Sequence, residues 1–142
     1  MFLINKEKYD SLIKTQQQER KELQEKGLLP EWFTTGGWQL FKSKYMHQDK
    51  AFRGQAELIA KTAAKHLGVY KEEYEQKFFE LIWKGWLSCS TPILANMGTD
   101  RGLPVSCAGN YTDDSIDGFY SSLRENAILS QNGFGASSYT HS

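Results

Sequence analysis

Cysteine, histidine and proline are all scarce in this sequence of 142 residues, which contains two, three and three of them. The two cysteines, Cys89 and Cys107, are too few for the disulfide framework of a small secreted domain, and they favour a reducing, cytoplasmic setting. The histidines, His47, His66 and His141, have no metal-ligand spacing with either cysteine. We therefore expect no metal site in this chain.

Long apolar runs and an excess of charge of one sign are also lacking. No apolar stretch approaches the roughly 20 residues of a membrane-spanning helix. The first ten residues lack the apolar segment of a signal peptide. Because 17 basic residues balance 17 acidic ones, the chain has no electrostatic footprint of a nucleic-acid binder. We expect neither membrane insertion nor direct DNA binding.

Aromatic residues, in contrast, make up 13% of the chain, and all four tryptophans fall in residues 1–87, which we expect to be mainly helical. Residues 6–26 predict a surface helix with a thin apolar stripe, ended by the glycine that follows. Residues 27–46 mix glycine and proline with aromatics and indicate an irregular segment. Apolar residues at helical spacing then predict amphipathic helices over 56–67 and 74–86, whose aromatic stripes are typical of core packing.

The composition changes at Ser88, and we expect residues 88–142 to begin an α/β region. A turn-rich stretch comes first. The segment VSCAGNY, residues 105–111, is short and small-sided enough to be a buried strand. A helix capped by Asp114 or Ser115 follows, and the extended segment FGASSY comes after it. Strand, helix and strand within about 35 residues are typical of a βαβ unit.

Four short features of this second region could carry chemistry, and each also has a purely structural explanation. Cys107 is either an inert core thiol or a reactive thiol beside glycine-containing loops, and no Cys-x-x-Cys motif pairs it with Cys89. Thr91 before Pro92 either forms a turn or donates its hydroxyl to a phosphate or ribose oxygen. The Asp-Asp-Ser run is explained by a helix cap, although helix N-termini also bind phosphates. The NGFG stretch, which contains Gly135, is by itself only a helix stop.

Together, these features resemble one family in order and spacing. The run STPILANMGTDRGLPVSC, followed by DDSID and then LSQNGFGAS, resembles the catalytic large subunit of ribonucleotide reductases. The upstream segment LPEWFTTGGWQLFKSKYM is similar to the segment that opens family members without an N-terminal ATP-cone domain. The resemblance covers nearly everything from Leu29 onward. It implies an α/β fold: an N-terminal helical layer, then the first strand–helix–strand unit of a ten-stranded α/β barrel that is incomplete in this chain.

The resemblance implies the reduction of ribonucleotides to deoxyribonucleotides for DNA synthesis. In this family a transient thiyl radical abstracts the ribose 3′-hydrogen, and a redox-active cysteine pair supplies two electrons. Cys107 matches the first cysteine of that pair, whose partner would lie in a segment that this sequence does not contain. The residues that match substrate-contacting positions are Thr91, Ser106, Cys107 and Gly135.

The resemblance also implies an allosteric site. Asp114, Ser115 and Ile116 match the specificity site of the family, where a deoxynucleoside triphosphate or ATP sets which base is reduced. The carboxylate would accept a hydrogen bond from the ribose hydroxyl, and the helix N-terminus would assist.

Several parts of the family pattern are missing from this sequence. The Asn-x-Cys-x-Glu run of the radical cysteine, the second redox cysteine and the C-terminal relay cysteines do not occur, so we expect no catalysis by this chain alone. The preferred hypothesis is a split large subunit in which this chain assembles with a complementary C-terminal chain. An intein-interrupted gene would give the same sequence.

The resemblance implies further partners, with no cofactor in this chain itself. The radical would come from a metal-containing small subunit or from adenosylcobalamin. A ribonucleoside diphosphate would be the substrate, a dithiol protein such as thioredoxin or glutaredoxin the reductant, and the assembly an oligomer. Three alternatives remain: a non-catalytic nucleotide-binding or regulatory relic of the fold, a thiol oxidoreductase using Cys89 and Cys107, and a structural partner protein acting through its aromatic N-terminal half.

Overall fold

The structure, a computed structural model, describes residues 6–140 and divides the chain into two units, Met1–Ser88 and Cys89–Ser142. The first unit contains helices α1 (Lys6–Glu25), α2 (Thr35–Lys44), α3 (Phe52–Ala64) and α4 (Lys71–Trp83), with a 3₁₀ turn at Gly68–Tyr70. The second contains helix α5 (Thr91–Asn96), strand β1 (Cys107–Thr112), helix α6 (Ile116–Gln131) and strand β2 (Gly135–Thr140). No helix within residues 6–140 is long and apolar enough to cross a membrane.

Helix α1 ends where the sequence predicts, since Gly27 follows it with a φ of +65°, a left-handed conformation that suits glycine. The segment after α1 folds back along it through side-chain hydrogen bonds. The Gln24 side-chain amide donates to the carbonyl oxygen of Pro30 at 2.9 Å, and the Arg20 guanidinium donates to that of Phe33 at 3.1 Å. These bonds place the aromatic residues that follow α1 against the rest of the first unit.

The prediction of an irregular segment over residues 27–46 is wrong for its second half, which forms α2. The Thr34 hydroxyl caps this helix by accepting a hydrogen bond from the Gly37 amide at 3.0 Å. Trp38 and Phe41, three positions apart, then lie on the buried face. The two adjacent glycines conceal this helix in the sequence because glycine has a low helix propensity.

An aromatic cluster forms the core of the first unit. Phe41, which is 2% exposed, lies with its ring centroid 5.4 Å from Phe52, 6.0 Å from Trp38 and 6.2 Å from Phe33. Trp32 closes one side of the cluster by donating its indole N–H to the Trp83 carbonyl oxygen at 2.8 Å. Edge-on and stacked ring pairs of this kind add to the stabilisation from apolar burial.

Helices α3 and α4 pack against each other next to this cluster. The predicted face of the first of them is confirmed for Ala56, Ile59 and Ala60, which are all buried. The structure differs at the ends, because Leu67 lies beyond α3 and Trp86 lies beyond α4, both exposed. Helical periodicity therefore located the two helices but placed their ends too late.

The second unit is a strand–helix–strand motif preceded by one short helix. β1 and β2 pair in parallel, with Cys107 opposite Gly135 and Thr112 opposite Thr140, and α6 packs on both strands. This confirms the predicted βαβ unit. The turn-rich reading of the preceding stretch is wrong at α5, whose Pro92 occupies the first turn, where its missing N–H costs no hydrogen bond.

Candidate functional site

The residues at the amino ends of the two strands form one small cluster. Gly135 pairs with Cys107 in the sheet, and the Gly135 amide donates to the Ser106 carbonyl oxygen at 2.8 Å. A Cβ added at Gly135 would lie 3.5 Å from the Cys107 sulfur, so a side chain at this position would be in van der Waals contact with the thiol. The structure thus brings together three of the four residues that the sequence matched to substrate contacts.

Cys107 itself is exposed, so the predicted burial of its strand is wrong within this chain. Within the described residues, Cys107 is therefore not a buried core thiol. Exposure follows from the strand alternation, because Cys107, Gly109 and Tyr111 point away from α6. That face of the sheet is accessible to a ligand or to another part of a larger protein.

Two further residues share the sheet face of Cys107 and were missed by the sequence reasoning. Ser137 lies opposite Gly109, and its hydroxyl would be 3.4 Å from a Cβ placed there. Tyr139 lies opposite Tyr111, with the two ring centroids 6.1 Å apart. The period-two alternation of a strand, counted from Cys107 and from Gly135, is the signal that would have found them.

The other face of the sheet is fixed to α6 by a polar network. The buried Ser122 hydroxyl donates to Asn110 Oδ1 at 3.1 Å, accepts from Thr112 Oγ1 at 2.8 Å and lies 3.0 Å from the Ser138 hydroxyl. Ser138 also donates to Asn110 Oδ1 at 2.8 Å. Because one helix residue bonds to both strands, this network sets the register between α6 and the sheet that carries Cys107.

The residues matched to the effector site surround the N-terminus of α6. Ser115 is the N-cap, and its hydroxyl accepts a hydrogen bond from the Gly118 amide at 2.9 Å. The sequence left Asp114 and Ser115 as alternative caps, and the structure selects Ser115. Asp114 and Ile116 are both exposed, with Ile116 73% accessible. A carboxylate and a helix N-terminus thus flank one exposed surface.

The two groups of candidate residues lie near opposite ends of the strands. Cys107 begins β1, whereas Asp114 follows its last residue, Thr112, so they are separated by the length of the strand, roughly 20 Å at about 3.3 Å per residue. They therefore form two separate groups of candidate residues rather than one. The remaining candidate, Thr91, lies on a separate element as the first residue of α5.

The second cysteine has a different environment. Cys89 is half-buried, and burial raises the pKa of its thiol, which disfavours the reactive thiolate form. Both cysteines are free thiols in the structure. Within residues 6–140, no group of three or more His, Cys, Asp or Glu residues could hold a metal ion, and His141 lies outside this range.

Comparison with known proteins identifies the family to which the chain belongs. A family model described as "Ribonucleotide reductase, all-alpha domain" matches residues 31–102, about half of the chain. This range contains the aromatic core, helices α2 to α4 and the short helix α5. The chain belongs to the ribonucleotide reductase large-subunit family.

Individual members of the family agree with this assignment. The large subunit of ribonucleoside-diphosphate reductase from Invertebrate iridescent virus 6 is 38% identical over 63 residues, which cover 44% of this chain and 7% of the viral protein. The alpha subunit from Helicobacter pylori is 39% identical over 59 residues, covering 42% and 8% of the two chains.

A solved reductase structure extends the similarity to the fold. The class Id ribonucleotide reductase alpha subunit of Actinobacillus ureae superposes with a TM-score of 0.69 at 34% identity, over 77% of this chain and 21% of that one. The helical region and the small parallel sheet therefore match the fold of a reductase alpha subunit. The chain spans less than a quarter of the length of each of these three relatives.

Proposed function

We propose that this chain supplies the first redox cysteine, part of the substrate site and the specificity-effector site of a ribonucleoside-diphosphate reductase. The rest of the catalytic barrel, including the radical cysteine and the second redox cysteine, comes from another part of the large subunit. In this proposal β1, α6 and β2 are the first strand–helix–strand unit of a ten-stranded barrel.

One observation carries the proposal: in a member of this family, an exposed thiol lies at the start of β1 with glycine directly opposite it. The family pattern predicts a redox cysteine at Cys107 and a substrate contact at Gly135, and the two are paired in the sheet. Because Gly135 has no side chain, a sugar that approaches the thiol would meet no side chain at this position. The Ser137 hydroxyl on the same face adds a polar group near that position.

The chemistry assigned to Cys107 balances as a two-electron reduction. The substrate loses its 2′-hydroxyl as water, and the 2′-carbon gains a hydrogen. Two thiols each give up one proton and one electron and become joined as a disulfide, so Cys107 must end each turnover bonded to the second cysteine. A dithiol protein then reduces this disulfide. The thiyl radical that abstracts the 3′-hydrogen belongs to a cysteine outside this chain.

The second part of the proposal places a nucleoside triphosphate at the N-terminus of α6. Exposed amide groups and the positive end of the helix dipole favour an anionic ligand there. The exposed Asp114 carboxylate is suited to accept a hydrogen bond from a ribose hydroxyl. Because the thiol and this surface lie at opposite ends of β1, the effector would act at a distance from the reacting sugar.

The proposal is tested by reconstitution. The chain is combined with the remainder of the large subunit and a radical source, and reduction of a ribonucleoside diphosphate is followed with a dithiol reductant. Cys107→Ser should abolish turnover, because serine cannot form the disulfide that balances the reaction. The matched control is Cys89→Ser, which removes the half-buried thiol and should leave turnover near the wild-type rate.

Two other outcomes would assign the chain differently. Turnover that survives Cys107→Ser would contradict the redox role and leave the chain as a nucleotide-binding part of the fold. Equal loss of turnover in both variants, together with a disulfide between Cys89 and Cys107, would favour a thiol oxidoreductase that uses the two cysteines of this chain.

A further inference from the structure

We infer that Gly118 is a positioning residue for the effector site: its lack of a side chain allows the Asp113 carbonyl to fold over the first turn of α6. The inference rests on the proposed function, because it concerns the surface formed by Asp114, Ser115 and Ile116. Gly118 itself is not among the residues that the family pattern assigned to that site.

The observation is a close approach of two pieces of backbone. A Cβ added at Gly118 would lie 2.8 Å from Asp113 Cβ, 2.9 Å from the Asp113 carbonyl carbon and closer still to the carbonyl oxygen. Cβ atoms in proteins essentially never lie within 3.0 Å of a heavy atom of a residue that is not adjacent in the chain. Because the atoms in the way include main chain, any other residue at position 118 must displace the Asp113 peptide group.

The displaced group is connected directly to the candidate site. The Asp113 carbonyl oxygen accepts a hydrogen bond from the Ser115 amide at 2.8 Å, and the Ser115 hydroxyl in turn accepts from the Gly118 amide at 2.9 Å. These two bonds close a tight loop that contains Asp114. Moving the Asp113 carbonyl therefore moves the carboxylate of Asp114 and the capping hydroxyl of Ser115 together.

The first unit contains a helix start that serves as a matched comparison. Gly37 occupies the same third position after its N-cap, and its amide donates to the capping hydroxyl of Thr34 at 3.0 Å. A Cβ at Gly37 would meet only side-chain atoms, Thr34 Oγ1 at 3.2 Å and Phe33 Cδ1 at 3.7 Å. The helix position alone thus does not demand glycine. What differs at Gly118 is the carbonyl of Asp113.

The test uses the chain assembled with the remainder of the large subunit and measures binding of deoxythymidine triphosphate and of ATP. Gly118→Ala should weaken binding of both by about tenfold or more, since a binding constellation must be held within roughly 0.5 Å of its productive geometry. Gly37→Ala should leave the affinity for both nucleotides unchanged.

Hydrogen exchange on the same variants separates positioning from folding. In Gly118→Ala the Ser115 amide should exchange faster while amides in the middle of α6 keep their protection. Loss of protection throughout α6 would overturn the inference, because Gly118 would then be needed for the helix itself. Unchanged nucleotide affinity in Gly118→Ala would overturn it as well, with the effector site left intact. A wild-type assembly that binds neither nucleotide would contradict the proposed effector site and the inference with it.

Discussion

The two units of this chain bury different kinds of side chain. Ten hydrophobic side chains are buried within residues 6–140, and all of them lie in the first unit, from Leu29 to Ile82. In the second unit, the described residues 89–140 include only two buried side chains, Thr112 and Ser122, and both are polar. Nine of its large apolar residues are exposed instead: Leu103, Val105, Tyr111, Ile116, Phe119, Tyr120, Leu123, Ile128 and Tyr139.

This difference separates a region with its own core from a region that depends on something outside it. Apolar burial stabilises a fold by about 25 cal/mol per Å² of buried surface. The aromatic cluster around Phe41 provides this stabilisation in the first unit. A two-stranded sheet is marginally stable by itself, and α6 packs on this one without burying a hydrophobic side chain. The second unit holds its geometry through the hydrogen bonds of Ser122, and we expect its apolar surfaces to be covered by the remaining strands of the proposed barrel.

The largest effect should follow from removing a ring from the first core. Phe41→Ala should lower the free energy of unfolding of the first unit by about 3–5 kcal/mol, the range for large-to-small substitutions of buried aromatics. Tryptophan fluorescence during denaturation measures this unit specifically, because Trp32, Trp38, Trp83 and Trp86 all lie in it.

The same substitution in the second unit provides the control. Phe119 is half-exposed on α6, so Phe119→Ala in the isolated chain should change the protection of α6 amides by no more than about 0.5 kcal/mol. A large loss there would mean that Phe119 packs in a core of the second unit, and the contrast between the units would fail.

A smaller effect should follow from breaking the polar network. Ser122→Ala removes the hydroxyl that bonds to both strands, and it should destabilise the packing of α6 on the sheet by about 1–3 kcal/mol, the cost of leaving buried partners unsatisfied. Hydrogen exchange of the β1 amides reports this change. Ser121→Ala, at the exposed neighbouring position, should leave exchange unchanged. Equal exchange in both variants would show that the network does not hold the sheet.

Features encoded by neighbouring residues could be predicted from the sequence. Gly27 ended α1, and the Asp-Asp-Ser run placed the start of α6, because caps and left-handed glycines act within a few residues. Helix α2 was missed because its two glycines outweighed the spacing of Trp38 and Phe41. Thr34, a good N-cap before that spacing, was the available signal.

Features that depend on distant packing could not be predicted. The strand sequence VSCAGNY suggested burial, yet Cys107 is exposed, since exposure depends on which other segments cover the sheet. The close approach of Asp113 to Gly118 likewise arises from the loop conformation rather than from either residue type. For the candidate site, the family pattern selected Cys107 and Gly135, and the strand register explains why those two residues lie together.

The most direct test of the central claim is to map the cysteines of the assembled reductase by mass spectrometry after one turnover without added dithiol. The account predicts a disulfide between Cys107 and a cysteine outside this chain's sequence, formed in proportion to the deoxynucleotide produced, with Cys89 still a free thiol. Deoxynucleotide formed while Cys107 remains a free thiol would contradict the account.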